Sequence, residues 1–260
     1  MAKRRRVWNK DKYKAYIKAG RGQGEGQAYV PWISIHDFSS RGISSRIYSY
    51  KTNRVHHFLS HNELSFFYLL EWSDNVLDIR EQFPLLDMKL AIELAESAGI
   101  RYPRDSQSSF PYILTCDFMI TTKRGSRART IKNSSELNNR RTLEKLEIER
   151  RYWSALGVDW QIVTEHEIDF GKSKNIEWLY TAAKLPEYLT VEGYRNAILD
   201  HIRDTSVQQT AAWFDEKYGL PGGSGLYLIK NLIWRKEIAY EIGMGYENSQ
   251  QAVGFSYDLR

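Results

Sequence analysis

Two side chains, Asp117 and Lys132, mark out the stretch "TCDFMITTKRGSRARTIK", which runs from Thr115 to Lys132. Hydrolysis of a phosphodiester uses one or two Mg²⁺ ions, carboxylates to hold them, and a cationic side chain near the attacking water or the phosphate. The turn "KRGS" divides the stretch into two strands, read as Tyr112–Thr122 and Arg127–Lys132. Alternation puts Thr115, Asp117 and Met119 on one face and Cys116, Phe118 and Ile120 on the other. On the second strand Thr130 and Lys132 share a face, so Asp117 and Lys132 meet across an antiparallel pair.

An acid and a lysine on matching faces of paired strands are the core of a PD-(D/E)xK nuclease site. The position two before the lysine is Thr130, where that pattern has an acid. A third acid belongs on a preceding helix, and Glu63 is the candidate. Helical spacing puts it with Phe67 and Leu70, and an ionised carboxylate on an apolar face needs a metal or a cation beside it. Ser60-His61-Asn62-Glu63 is also a formal capping box, and from this stretch alone the cap is the simpler explanation.

Other residues offer less. His56, His57 and His61 lack the spaced partners of a zinc site and are read as surface or DNA-side histidines. Glu144, Glu147 and Glu149 alternate with Lys145, Arg150 and Arg151 on one helix and are read as solvated ion pairs. Lys123, Arg124, Arg127 and Arg129 near the hairpin tip are candidate contacts to DNA phosphates. Cys116 is read as a buried strand residue.

These positions need an α/β scaffold. A helix is expected over Asn62–Glu71 with Ser60 as cap, a strand over 76–83 ending at Pro84, and a helix in "MKLAIELAESAGI" closed by Gly99. The hairpin follows, then a helix from Arg141 to Leu156 stopped by Gly157, then a buried strand over Val158–Thr164. Strand, hairpin, helix and strand make a core around a mixed sheet. The glycine-rich loop "AGRGQGEGQAY" lacks the Gly-Lys-Ser/Thr ending of a phosphate-binding loop. After residue 165 the chain turns polar, with helical pieces and Pro186 as a break, and reads as a linker. Three amphipathic stretches follow, "VEGYRNAILDHI", "SVQQTAAWFDEKYG" and "GLYLIKNLIWRKEI", and then "AYEIGMG" as a small β wing. That order suits a winged-helix module; a three-helix bundle for protein contacts fits it equally, because the helix after "LPGGS" is apolar.

Charge is unevenly spread. Residues 1–22 hold nine Lys or Arg against one acid, whereas the remainder has 28 basic and 31 acidic residues. A mobile basic arm bearing Lys3, Arg4, Arg5 and Arg6 suits phosphate-backbone contact. The start leads into no apolar h-region and no apolar run is long enough to cross a membrane, so neither a secretory signal nor a membrane anchor is expected. A single cysteine fits a reducing cytosol.

Several longer segments together, "GRGQG", "RIYS" with "VHHFLS", "LEWSDNVLDIREQFPLL", and "RTLEKLEIERRYW" with "NIEWLY", resemble the TnsA family, the endonuclease subunits of heteromeric cut-and-paste transposases. The resemblance runs from about Gly20 to Tyr180. It implies an α/β restriction-endonuclease-like (PD-(D/E)xK) N-terminal domain over residues 23–168, behind the arm of residues 1–22, and a helical winged-helix-like C-terminal domain over 169–260. It further implies nicking of the 5′ strands at the transposon ends in the bacterial cytoplasm, with Mg²⁺ (or Mn²⁺ as substitute). The implied partners are end DNA, a DDE transposase of the TnsB type that cuts and joins the 3′ ends, and a AAA+ regulator of the TnsC type. By position, Glu63 and Asp117 become metal-binding acids and Lys132 the catalytic lysine. Thr130 falls where the family has Gln or Glu, so a metal there would take its backbone carbonyl, and Asn133 replaces the family's proline. A subunit without nuclease activity, kept as an adaptor between transposase and regulator, is the alternative.

Overall fold

The computed structural model describes residues 7–37, 44–202, 205–240 and 242–243. They fall into two units, one ending at Ile168 and one beginning at Asp169. The first unit runs α1 (Lys10–Lys18), β1 (Ser45–Ser49), β2 (Arg54–Phe58), α2 (His61–Trp72), β3 (Val76–Pro84), α3 (Met88–Ser97), β4 (Thr115–Thr122), β5 (Gly125–Ile131), α4 (Arg140–Ala155) and β6 (Asp159–Val163). β1 and β2 form a two-stranded hairpin, and the main sheet has the order β3-β4-β5-β6. β3, β4 and β5 pair antiparallel. β6 pairs parallel with β5, and α4 is the crossover that a parallel pair requires.

Local signals place most of these elements. The Ser60 hydroxyl accepts the Glu63 N–H (3.1 Å) and starts α2. α4 ends where Gly157 takes φ +68°, a left-handed turn that glycine enters without steric cost. Met119 stands opposite Ala128, and both lie in a core with Ile148, Tyr152 and Trp153 of α4 and Ala91 and Ala95 of α3. Phe118, next along β4, packs instead on Phe58 and Phe66, so β2 and α2 are held by the alternate residue of the same strand.

A buried ion cluster fastens the β1-β2 hairpin to β3. Glu81 is fully buried. Arg54 donates to both of its oxygens (2.8 Å to Oε1) and to the Ile79 carbonyl (2.9 Å). His56 Nδ1 stands 2.9 Å from Oε2, at ion-pair distance but without hydrogen-bond alignment, and its Nε2 meets the Thr52 hydroxyl at 2.7 Å. Burial pushes the Glu81 carboxyl up, but His56 and Arg54 outweigh it and hold it well below the usual carboxylate range. His56 is therefore a core residue, which corrects its reading as a surface histidine. The histidine motif hid this because the partner acid is 25 residues away.

The basic N-terminus also differs from expectation. From Trp8 onward it is not a mobile arm. Trp8 and Trp32 are buried together with Ile113, and Tyr13, Tyr16 and Ile17 of α1 pack against them. The Trp8 indole N–H donates to the Pro111 carbonyl (2.8 Å). Lys10, Lys14 and Lys18 line one exposed side of α1. Lys3, Arg4, Arg5 and Arg6 lie outside the described residues. The glycine-rich loop follows: Gly22 has φ +72°, and a Cβ there would come within 2.3 Å of Pro84 Cγ, so the loop lies directly on the end of β3.

In the second unit the described residues form α5 (Phe170–Tyr180), α6 (Arg195–His201), α7 (Val207–Tyr218) and α8 (Ser224–Trp234). The segment read as a linker thus carries α5, whose Ile176 and Leu179 are buried. Asp215 accepts the N–H groups of Gly223 and Gly225 (2.6 Å each), which fixes the turn between α7 and α8. Eight of the eleven residues of α8 are buried, including Lys230 and Asn231, so it is an interior helix. No strand occurs among the described residues of this unit, and the stretch read as a wing lies partly outside them.

Arg54→Met would leave Glu81 buried without its guanidinium and is expected to lower stability by about 3–5 kcal/mol in urea unfolding. Because the folded carboxyl sits below its ordinary value of 4.5, the contribution of Glu81 is complete above that pH and is lost as pH falls. Acid unfolding of the variant should accordingly lose part of its steepness below pH 4.5.

Candidate active site

Asp117 is the residue on which the expected groups converge. It stands in the middle of the sheet, on a strand paired on both sides. Its Oδ2 accepts the Ile131 N–H (2.7 Å) and lies 3.5 Å from Lys132 Nζ. The Lys132 ammonium also donates to the Ile131 carbonyl (2.8 Å). Burial pulls the Lys132 ammonium down, but Asp117, Glu149 and other nearby carboxylates outweigh it, so it stays charged.

Glu63 reaches the same place from the first turn of α2. Its Oε1 accepts the Ser60 hydroxyl (2.9 Å) and its Oε2 accepts the Leu59 N–H (3.1 Å), so Ser60 caps α2 as expected while the carboxylate reaches the residue before the cap and not the Ser60 N–H that a capping box uses. The same Oε2 faces Gln82 Nε2 at 3.5 Å, and that nitrogen donates to Asp117 Oδ1 at 3.1 Å. Burial first, and then the charge of Asp117, pushes the Glu63 carboxyl up to about 7. Cap and site are two uses of one side chain.

Thr130 is buried, and its hydroxyl is engaged on both sides. It donates to Glu149 Oε2 (2.6 Å) and accepts the Trp160 indole N–H (3.1 Å). Glu149 is therefore no solvated helix acid, in contrast to Glu144 and Glu147, which pair with arginines at the surface. It sits behind Thr130, and burial, reinforced by the charge of Asp117 against the Thr130 hydrogen bond, pushes it up to about 8. The signal in sequence was its spacing: Leu146, Glu149, Tyr152 and Trp153 occupy the buried side of α4. Gln82, the other residue missed, carries no periodic signal. It lies on β3 between Glu81 and Phe83, which pair with Phe118 and Cys116, and so stands across from Asp117. Its φ of +48° is a left-handed value costing about 1–3 kcal/mol in a non-glycine residue.

Of the hairpin cations, Lys123, Arg124 and Arg127 are exposed. Arg129 is not at the tip. It is buried and donates to the Asp159 carboxylate and carbonyl (2.9 Å each) and to the Ala128 carbonyl (2.8 Å), so it joins β5 to β6 and cannot reach a phosphate.

The donor set suits a hard divalent cation. Two buried carboxylates, Glu63 and Asp117, share one amide nitrogen, a third acid lies behind Thr130, and Lys132 is the ammonium that faces Asp117. Oxygen ligands and an excess of buried negative charge are what Mg²⁺ or Mn²⁺ requires. Among the described residues no three Asp, Glu, His or Cys side chains converge on one point, so a cation held by Glu63 and Asp117 would need neutral oxygen or water for its other ligands.

Both raised carboxyls favour their neutral forms in the fold. The stability they contribute is complete below 4.5 and is lost as pH rises through about 7 for Glu63 and about 8 for Glu149. With divalent ions chelated, the melting temperature should fall from pH 5 to pH 9. Glu149→Gln should flatten the alkaline part of that decline in a pH series of thermal melts.

Comparison with known proteins gives the family. Residues 73–165 match the family model described as TnsA-like endonuclease N terminal, and residues 167–242 match that described as TnsA endonuclease C terminal. The chain is 40% identical over 232 residues to the Transposon Tn7 transposition protein TnsA of Escherichia coli, covering 87% of this chain and 84% of that protein. No helix among the described residues is long and apolar enough to cross a membrane. On these matches, which include both halves of the molecule, the chain belongs to the TnsA family.

Proposed function

We propose that this chain is a Mg²⁺-dependent DNA endonuclease that nicks the 5′, non-transferred strands at transposon ends, so that the element leaves its donor by cut-and-paste. The observation that carries this reading is the convergence of Glu63 and Lys132 on Asp117 in a buried corner of a mixed sheet. That arrangement supports a restriction-endonuclease-like fold for the first unit. Glu63 and Asp117 would hold the metal. The Thr130 carbonyl expected as a neutral ligand is turned away from them, because the Ile131 N–H across the same trans peptide points at Asp117, and the Thr130 hydroxyl is taken by Glu149 and Trp160. A metal held there would supply a water of lowered pKa and offset charge that builds on the phosphate. Lys132, kept charged by its carboxylate neighbours, orients the attacking water or the scissile phosphate. Glu149 fixes the end of β5 through Thr130 and keeps a carboxyl beside the site. Mn²⁺ is expected to substitute for Mg²⁺.

DNA is held by the exposed cations. Lys10, Lys14 and Lys18 form a ladder on α1, and Lys123, Arg124 and Arg127 crown the β4-β5 turn, with Lys3, Arg4, Arg5 and Arg6 preceding α1. The second unit, the winged-helix-like module of the sequence reading, buries α8 and so leaves that helix no face for reading a groove. This favours partner contact for the unit. The partners are a DDE transposase of the TnsB type, which cuts and joins the 3′ ends, and a AAA+ regulator of the TnsC type.

With purified partners, donor plasmid and Mg²⁺, the wild-type chain should give double-strand breaks at both ends. Asp117→Ala should abolish 5′-strand cleavage while 3′-joined products persist; unchanged cleavage by that variant sinks the assignment, and joined products alone from the wild type support the adaptor. Replacing Lys10, Lys14 and Lys18 by alanine should reduce the slope of log affinity against log salt by about 2–3 if each contacts one phosphate. Deletion of residues 1–6, which spares Trp8, tests the preceding basic cluster in the same titration.

A further inference from the structure

The irregular backbone of β3 falls at the candidate metal site. Gln82 holds φ +48° inside a strand whose neighbouring residues remain paired, with Glu81 opposite Phe118 and Phe83 opposite Cys116. No turn or strand end calls for a left-handed residue there. The backbone is pinned from both sides: Glu81 by Arg54, and the Gln82 carbonyl by the Trp32 N–H (3.3 Å). Every polar atom of the buried Gln82 side chain is in use. Nε2 donates to Asp117 Oδ1 (3.1 Å) and faces Glu63 Oε2 (3.5 Å), while Oε1 accepts the Thr115 hydroxyl (3.2 Å).

Resting on the reading of this site as a divalent-cation site, we propose that Gln82 serves it in both states, as a bridge between its carboxylates when empty and as a neutral ligand when filled. The amide nitrogen holds the Glu63 and Asp117 carboxylates together while no cation is bound, and the amide turns its oxygen toward the cation when one enters. Three observations support this. An amide NH₂ has two donors, which is what a group placed between two carboxylates needs. A half-turn about the last side-chain bond exchanges nitrogen and oxygen, and the Thr115 hydroxyl, which donates to the oxygen, can equally accept from the nitrogen. With no third acid converging among the described residues, a neutral oxygen completes a hard-cation site without a further buried charge. Neither a lysine nor a glutamate would serve both states. A lysine has no oxygen to offer the metal, and a glutamate would place a third negative charge beside Glu63 and Asp117 in the empty site.

The test uses the full chain, with Mn²⁺ as the probe, isothermal titration for affinity, and thermal melts with chelator and with Mn²⁺. Gln82→Gly removes the backbone strain and the amide together. It should melt no lower than wild type with chelator, yet bind Mn²⁺ about tenfold or more weakly. Gln82→Glu keeps the ligand oxygen and loses the donor. It should melt lower with chelator, bind Mn²⁺ at least as tightly as wild type, and show a larger melting shift on adding metal. A role confined to folding would move the melting temperatures and leave the affinities alone. Unchanged Mn²⁺ affinity in Gln82→Gly overturns the proposal. Asp117→Asn separates this from failure of the site itself. If it loses Mn²⁺ while Gln82→Gly does not, the metal site stands and the role of Gln82 falls. If wild type binds no Mn²⁺, or Asp117→Asn binds as wild type does, both fall.

Discussion

Asp117 is a carboxylate brought into the middle of a sheet, and the surrounding structure answers that charge. Oδ2 takes the Ile131 N–H and faces the Lys132 ammonium, and Oδ1 takes the Gln82 amide. These contacts tie the ends of β3, β4 and β5 to one group. Burial first, and then the same charge, raises the carboxyls of Glu63 and Glu149, which lie near it on helices from different parts of the chain. Bringing like charges together out of water is unfavourable for folding, and it is tolerated where a counter-ion or a proton can be recruited. On the function proposed above, the fold therefore carries its own demand for a cation at this place.

That demand is met by a rigid frame. Glu81, next to Gln82, is held in the opposite electrostatic state, with Arg54 and His56 keeping it ionised deep in the core. Adjacent residues of β3 thus serve two clusters. One fastens the β1-β2 hairpin, and the other spans the carboxylates. The left-handed conformation of Gln82 lies between two fixed points, which is how a strained residue persists inside a regular strand. On the Asp117 face of β4, Met119 and its β5 partner Ala128 lock the sheet onto α4 and so set where Glu149 stands.

The aromatic seat of Trp8 and Trp32 gives the basic N-terminus a defined course. α1 is docked through its apolar side and offers its lysines outward, and the glycine loop behind it rests on Pro84 at the end of β3. Cations placed by a packed helix lose less entropy on meeting DNA than cations on a free tail, because their backbone is already ordered.

Much of this was legible in the chain itself. Periodicity placed α2, α3, α4 and the β4-β5 hairpin, glycines marked the helix ends, and alternation put Asp117 and Lys132 on one face of paired strands. Ser60 was readable as a cap because a cap is made within four residues. Glu63 was readable as a candidate third acid from its place beside Phe67 and Leu70, although its local pattern is also satisfied by the cap. The remaining features depend on partners far away in sequence. Glu149 became a buried acid through Thr130, Arg129 left the hairpin tip for Asp159, His56 met Glu81, and Trp8 met Pro111 across 103 residues. Gln82 turned on a backbone angle that no side-chain pattern records. Local chemistry decides which face a residue occupies and where an element ends; which charges share that face is decided only when distant elements close over it and exclude water.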